Sequence, residues 1–186
     1  MNTCAEVSLL QSTVPISTVD TVLQANKLLR KAQKEIERST LTIRRIPGRW
    51  IAAGWTDASL QNRPDSMSTG GYLVGVSGHR LLDGDLEVVT PVSWRAHKLR
   101  RVGVSSLSVE TQALRTMEDE LHMVRLCLAE MQGQIIDLHV ADEHVASISG
   151  IAVIDAKAIY DALTSQTQVQ NMVEKRTAIE LMAYLK

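Results

Sequence analysis

The chain has 186 residues, of which 45% are hydrophobic and 22% charged, and its 20 Lys and Arg against 21 Asp and Glu leave a formal net charge of −1. That length suits one domain with an N-terminal extension, too apolar for disorder and too even in charge to mark a nucleic-acid binder by charge alone. No apolar run approaches the ~18 residues of a membrane helix, the first fifteen residues lack a signal peptide's basic start, and the absence of Phe argues against rows of base-stacking rings. Cys4 and Cys127 form no ligand pair, so the expectation is a reduced chain of the cytoplasm or nucleus, with no membrane contact.

Residues 1–18 show no period and read as a loose tail. Asp20 can cap a helix running to about Arg38, with Val22, Leu23, Leu28, Leu29 and Ile36 as its apolar contacts. Pro47-Gly48 separates two extended segments, Leu41–Ile46 and Arg49–Ser59. The polar loop Gln61–Asp65 leads into a strand at Gly71–Val76, and the turn Asp83-Gly84-Asp85 leads into another at Leu86–Trp94, which together predict an antiparallel three-strand meander. Ser105-Ser106 cap the longest helix, which ends near Met131-Gln132-Gly133. Ile151–Ile154 reads as a strand buried on both faces, followed by a helix at Ala156–Leu163 and a last helix from about Val169 to the end. The expected fold class is α/β, a mixed sheet of a meander plus a parallel strand with packed helices. The expected division is an N-terminal tail and helix, 1–40, and a domain, 41–186.

The net charge hides an asymmetry. Residues 27–49 hold eight basic and two acidic side chains, and residues 118–143 hold seven acidic and one basic. His97-Lys98-Leu99-Arg100-Arg101 forms a second basic knot. Such positive surface attracts phosphates, although solvated helix and strand faces have the same composition.

Three carboxylates stand where apolar residues belong. The long helix places Leu107, Leu114, Met117, Leu121, Val124, Leu128 and Met131 on one stripe, and its one missing position is filled by Glu110. Period-two alternation puts Asp57 on the face of Ile51, Ala53 and Trp55, and Asp155 ends the apolar strand just before a helix. Singly, each has an ordinary reading as an exposed first-turn, turn or cap residue. Together they point to convergence, and a cluster of three carboxylates needs a proton or a divalent cation, with oxygen-only donors favouring Mg²⁺ or Mn²⁺.

Asp57 lies in Gly54-Trp55-Thr56-Asp57-Ala58-Ser59, which is followed by Arg63-Pro64-Asp65, by Ser68-Thr69-Gly70-Gly71-Tyr72, and by Val92-Ser93-Trp94 with Lys98. Glu110 lies in Ser105-Ser106-Leu107-Ser108-Val109-Glu110-Thr111-Gln112-Ala113-Leu114 and Asp155 in Val153-Ile154-Asp155-Ala156-Lys157. In order and spacing, from about residue 41 to 184, the chain resembles the ribonuclease H domain of copia-type retrotransposon polyproteins. The resemblance implies a ribonuclease H-like fold with Asp57, Glu110 and Asp155 as catalytic, metal-binding acids. It also implies a hydrolase that cleaves the RNA strand of an RNA–DNA hybrid with Mg²⁺ (or Mn²⁺), with Ser68, Thr69, Lys98, Arg100 and Arg101 near the nucleic acid. The helix at 20–38 resembles the end of the upstream reverse transcriptase, which makes that region a further partner. Ser59, Ser108, Ala156 and Met67 depart from the family's pattern. The family continues into a further strand and a Leu-Ala-Asp segment with a fourth acid, so the expectation is a domain whose final strand and helix are missing, with impaired cleavage. Glu180 reads as a surface residue in this comparison.

Two other classes compete. One is a catalytically inactive retroelement-derived module that binds nucleic acid or protein. The other is a zinc-binding module using His139 and His144, which otherwise lie in a solvated loop.

Overall fold

The computed structural model describes residues 3–38, 40–164, 172 and 174–184. Small and β-branched residues fill Trp50–Ser59 (β1), Thr69–Gly78 (β2) and Val89–Lys98 (β3), which pair in antiparallel succession. Gly150–Ile154 (β4) adds parallel to β1, giving the order β3-β2-β1-β4, a mixed α/β sheet with helices packed on it. A parallel neighbour needs a crossover, and the longest helix, Ser106–Met131 (α3), supplies it.

Both ends of α3 are written in the sequence. Ser105 Oγ accepts from the Ser108 backbone N–H at 3.1 Å. At the other end Gly133, at φ +89°, lets its own N–H reach the Glu130 carbonyl at 2.9 Å while the Gln134 N–H reaches that of Ala129 at 3.2 Å, the paired closure of a Schellman motif. Ser105 Oγ also donates to Glu174 Oε2 at 3.0 Å, just before the helix Lys175–Met182 (α6). Ser105→Ala should therefore cost about 1 kcal/mol, read as a lower urea midpoint with an unchanged slope.

Leu114, Met117, Leu121, Val124 and Leu128 are buried against Ala52 and Val74 of the sheet and against Ile159 and Leu181. Ile159 belongs to the helix Lys157–Thr164 (α5). Met131, on the same stripe, is exposed because its turn borders an open groove. Gly54 is where α3 comes nearest: a Cβ there would overlap Met117 Sδ.

Several expectations are corrected. Residues Cys4–Ser12 are not a loose tail but a helix (α1), packed on β3. The next helix is Val19–Glu35 (α2), followed by a 3-10 turn to Arg38; Thr18 caps it, while Asp20 accepts from Gln24 Nε2 at 2.6 Å. Val22, Leu23, Leu29 and Ile36 are exposed, not packed. Residues 41–46 carry no strand, and the third strand begins at Val89, not Leu86. β4 is half exposed, with Val153 at 37%, because among the described residues it borders β1 alone. The segment 138–146 is a short 3-10 turn and a helix, Ala141–Ala146 (α4), not a loop. The start placed at Val169 for the last helix lies outside the described residues, and the helix described there begins at Lys175. Among the described residues no helix is long and apolar enough to cross a membrane, and Cys4 and Cys127 are free thiols.

Candidate metal centre

The last residue pair of the parallel β1–β4 ladder is Thr56 with Ile154. One step further along each strand lie Asp57 and Asp155, so the register alone sets the two carboxylates on neighbouring strands, which run about 4.8 Å apart. Thr56 Oγ1 anchors β1 at this level by donating to the Gly71 carbonyl at 3.0 Å. Glu110, in the second turn of α3, comes over the end of the short strand β4. The three side chains offer oxygen atoms that all lie within 4.8 Å of one another, with Asp57 and Asp155 exposed and Glu110 half-buried. Among the described residues neither Asp57 nor Asp155 spends its carboxylate on a cap or turn hydrogen bond.

Burial pushes the Glu110 carboxyl up to about 7; the charges of Asp57 and then Asp155 add to the rise, and the Ala58 backbone N–H acts the other way. Three oxygen donors with excess negative charge are what a hard divalent cation takes.

A groove of about 610 Å³ lies along the other flank of α3. At 100° per residue Gln112, Arg115 and Thr116, which line it, leave the helix well away from Glu110. The end of β3 and the turn after it add Arg95, Lys98, Arg100 and Arg101. Lys98 is paired with Asp65, Arg101 with Glu180, and Arg115 with Asp119 at 3.3 Å, leaving Arg95 and Arg100 without an ion-pair partner among the described residues. Arg63 is only 5% exposed. Its guanidinium donates to Thr69 Oγ1 at 3.1 Å and to the carbonyl and hydroxyl of Ser8 on α1, at 3.1 and 2.5 Å. His97, also in the groove, is pushed down by burial and by Arg95, Arg63 and Arg100, and its Nδ1 has no hydrogen-bond partner.

Compared with known proteins, the chain matches no family profile, no curated protein and no solved structure.

Of the residues singled out by sequence, Asp57, Glu110 and Asp155 meet, and Lys98, Arg100 and Arg101 share the groove. Ser68 and Thr69 do not face it freely. Both are buried: Ser68 Oγ accepts from the Gln61 N–H at 3.0 Å, and Thr69 Oγ1 donates to Asn62 Oδ1 at 2.8 Å, so they brace the β1–β2 turn. Glu180 is not a free surface acid, because it holds Arg101. His144 is used structurally, with Nδ1 at 3.2 Å from Gln134 Oε1 and Nε2 accepting the Asp137 N–H at 3.1 Å. Among the described residues the only group of three or more potential metal ligands is the acid trio, so the zinc module on His139 and His144 is set aside. Sequence reasoning missed Arg95 and Arg115 and gave Arg63 and His97 no site role, because the surface they share is created by elements far apart in the chain.

The raised Glu110 pKa has a thermodynamic sign. The fold prefers the protonated acid, so that preference stabilises fully below pH 4.5, is lost as pH rises to about 7, and is gone above it. At about 1.4 kcal/mol per pKa unit, reduced by solvent screening on the exposed side, the loss is about 1–2 kcal/mol. Melting in EDTA should show this decline across pH 4.5–7, and Glu110→Gln should flatten it. Mg²⁺ added at neutral pH should raise the melting temperature of the native chain more than that of the variant.

Proposed function

We propose that the chain is a ribonuclease H-like, Mg²⁺- or Mn²⁺-dependent endonuclease that cleaves the RNA strand of RNA–DNA hybrids, as part of a copia-type retrotransposon polyprotein. The observation that carries this reading is the convergence of Asp57, Glu110 and Asp155 from β1, α3 and β4 to within 4.8 Å. The same three acids sit in the three stretches that resemble the family, and the sheet order β3-β2-β1-β4 is compatible with its fold. On this reading the protein works in the cytoplasm or nucleus, and the reverse transcriptase region is its neighbour in the polyprotein.

The donor set fits the ion. Two like charges ~4 Å apart repel by about 4 kcal/mol at an effective dielectric near 20, and at Glu110 burial, then the charges of Asp57 and Asp155, raise the pKa to about 7. A bound Mg²⁺ or Mn²⁺ supplies water activation and charge neutralisation for an in-line phosphodiester displacement. The chain's own residues do the rest. The strand ends fix Asp57 and Asp155 side by side, and α3 fixes the third acid. Glu110 holds a proton up to about pH 7 in the metal-free protein, so cation binding near neutral pH releases it. Arg95 and Arg100, on the other flank of α3, meet phosphates of a duplex laid across the start of that helix. Such contacts read backbone shape and 2′-hydroxyls, which needs few aromatic rings.

The test is the intact chain with a hybrid labelled on its RNA strand, in Mg²⁺, in Mn²⁺ and in EDTA, beside single-stranded RNA and duplex DNA. Metal-dependent loss of the hybrid's RNA strand alone is expected. Failure to bind the hybrid at all would remove the reading. A second reading, a non-catalytic module that holds the hybrid, is favoured by the acid group having three members among the described residues where the family resemblance implies four. Tight hybrid binding without cleavage in either metal selects it.

A further inference from the structure

The groove of about 610 Å³ on the far flank of α3 holds more positive charge than the chain itself balances. Lys98, Arg101 and Arg115 of its lining are taken up by Asp65, Glu180 and Asp119. Arg63, Arg95 and Arg100 have no ion pair among the described residues. Arg63 is the costly one, because a buried charge needs a counter-charge or hydrogen bonds to offset its lost water. At 5% exposure it has neutral acceptors alone, Thr69 Oγ1 and the carbonyl and hydroxyl of Ser8. Asp65, the acid that acts on it, gives its carboxylate to Lys98. The three bonds use three of the five N–H groups of a guanidinium, so two donors remain.

His97 supplies an independent observation in the same groove. Its Nδ1 is buried without a hydrogen-bond partner, although buried polar atoms are nearly always partnered. Burial, then the charges of Arg95, Arg63 and Arg100, holds its pKa below the ordinary histidine value, so all three unpaired cations act on one ring. Arg95 and His97 leave β3 on the same face, two residues apart. The turn between β1 and β2, β3 with the turn after it, α1 and α3 thus close one concave, electropositive seat.

We propose that this groove is a phosphate-binding site, with one phosphate group seated between Arg63 and His97 on its floor and Arg95 and Arg100 at its rim. Guanidinium forks match phosphate oxygens in geometry, and a phosphate group offsets the charge that the fold leaves unbalanced. Where that phosphate belongs to a hybrid, the inference rests on the nuclease reading, which brings a duplex past Arg95 and Arg100. The seat itself needs neither a metal ion nor cleavage.

The test follows the His97 ring proton of the full chain by NMR in EDTA, assigned by its loss in His97→Gln, as inorganic phosphate or chloride is added at equal ionic strength. Phosphate should shift that signal saturably and raise its titration midpoint, because a bound anion favours the imidazolium. Arg63→Ala would also cut the tie to α1, so affinity is compared in Arg100→Ala, at an exposed position. Phosphate should bind that variant at least about tenfold more weakly, whereas Lys34→Ala, at an exposed position on α2 outside the groove, should bind as the native chain does. A His97 signal that answers chloride and phosphate alike overturns the proposal, and so does native affinity in Arg100→Ala. A short RNA–DNA hybrid that displaces phosphate identifies the nucleic-acid backbone as its source; a hybrid that binds and leaves phosphate in place identifies a free phosphate, and the site stands in both cases. Because EDTA removes turnover, an inactive chain leaves this site standing, and an empty groove leaves the acid cluster and its cleavage assay untouched.

Discussion

Asp57→Asn is expected to abolish metal-dependent cleavage of a hybrid, by at least about a thousandfold, while the protein stays folded and still binds the duplex. The substitution keeps the size of the side chain and removes one of three charges from a site whose oxygens lie within 4.8 Å. Asp57 is exposed and its carboxylate makes no hydrogen bond among the described residues, while its backbone stays in the β1–β2 ladder, so little structural loss accompanies the change. A second readout is independent of turnover. The Asp57 charge is one cause of the raised Glu110 pKa, so the variant should move the Glu110 titration, followed by carboxyl NMR, down from about 7. Asp142→Asn, at an exposed position on α4, is the control that should change neither. Full activity in Asp57→Asn would place the chemistry elsewhere, and an unmoved Glu110 titration would mean that the acids do not share a pocket.

Gly54→Val is expected to give the largest loss of stability, about 3 kcal/mol. Valine favours strands, so the backbone of β1 does not object. The cost comes from overlap with Met117, which has 0% exposure and core on all sides. Shortening the neighbour should recover part of the loss: in Gly54→Val/Met117→Ala the two changes should couple by at least about 1 kcal/mol, measured as a double-mutant cycle in urea. A Gly54→Val protein as stable as the native one would show that α3 does not lie this close to β1.

The parts of the molecule that were legible in the sequence are those with a local period. The stripe of α3 located the sheet-facing side, and that made Glu110 visible as the acid in an apolar column. Asp57 and Asp155 stood out at strand positions, and the ladder pair Thr56–Ile154 now gives the reason they meet. What stayed hidden depends on distant partners. α1 shows little periodicity of its own, and its tie to the body runs through Arg63 and Ser8, 55 residues apart. The apolar run of β4 looks the same whether a strand lies at the centre or the border of a sheet, and only topology tells them apart. Ser68 and Thr69 were rightly read as polar, but a sequence does not say that a hydroxyl turns inward to hold a loop. Short motifs, too, mark residues without saying which way they point.

The pairing of β1 with β4 joins segments about a hundred residues apart, with the whole of α3 between them. Long loop closure is slow, so the meander and α3 can assemble while β4 is still unplaced. On that order Asp57 and Glu110 would be in place before Asp155, which belongs to the β1–β4 closure. During synthesis on the ribosome, a chain interrupted before residue 150 carries two of the acids and no third, so the three-acid cluster is complete only once translation has passed β4 and the crossover has closed.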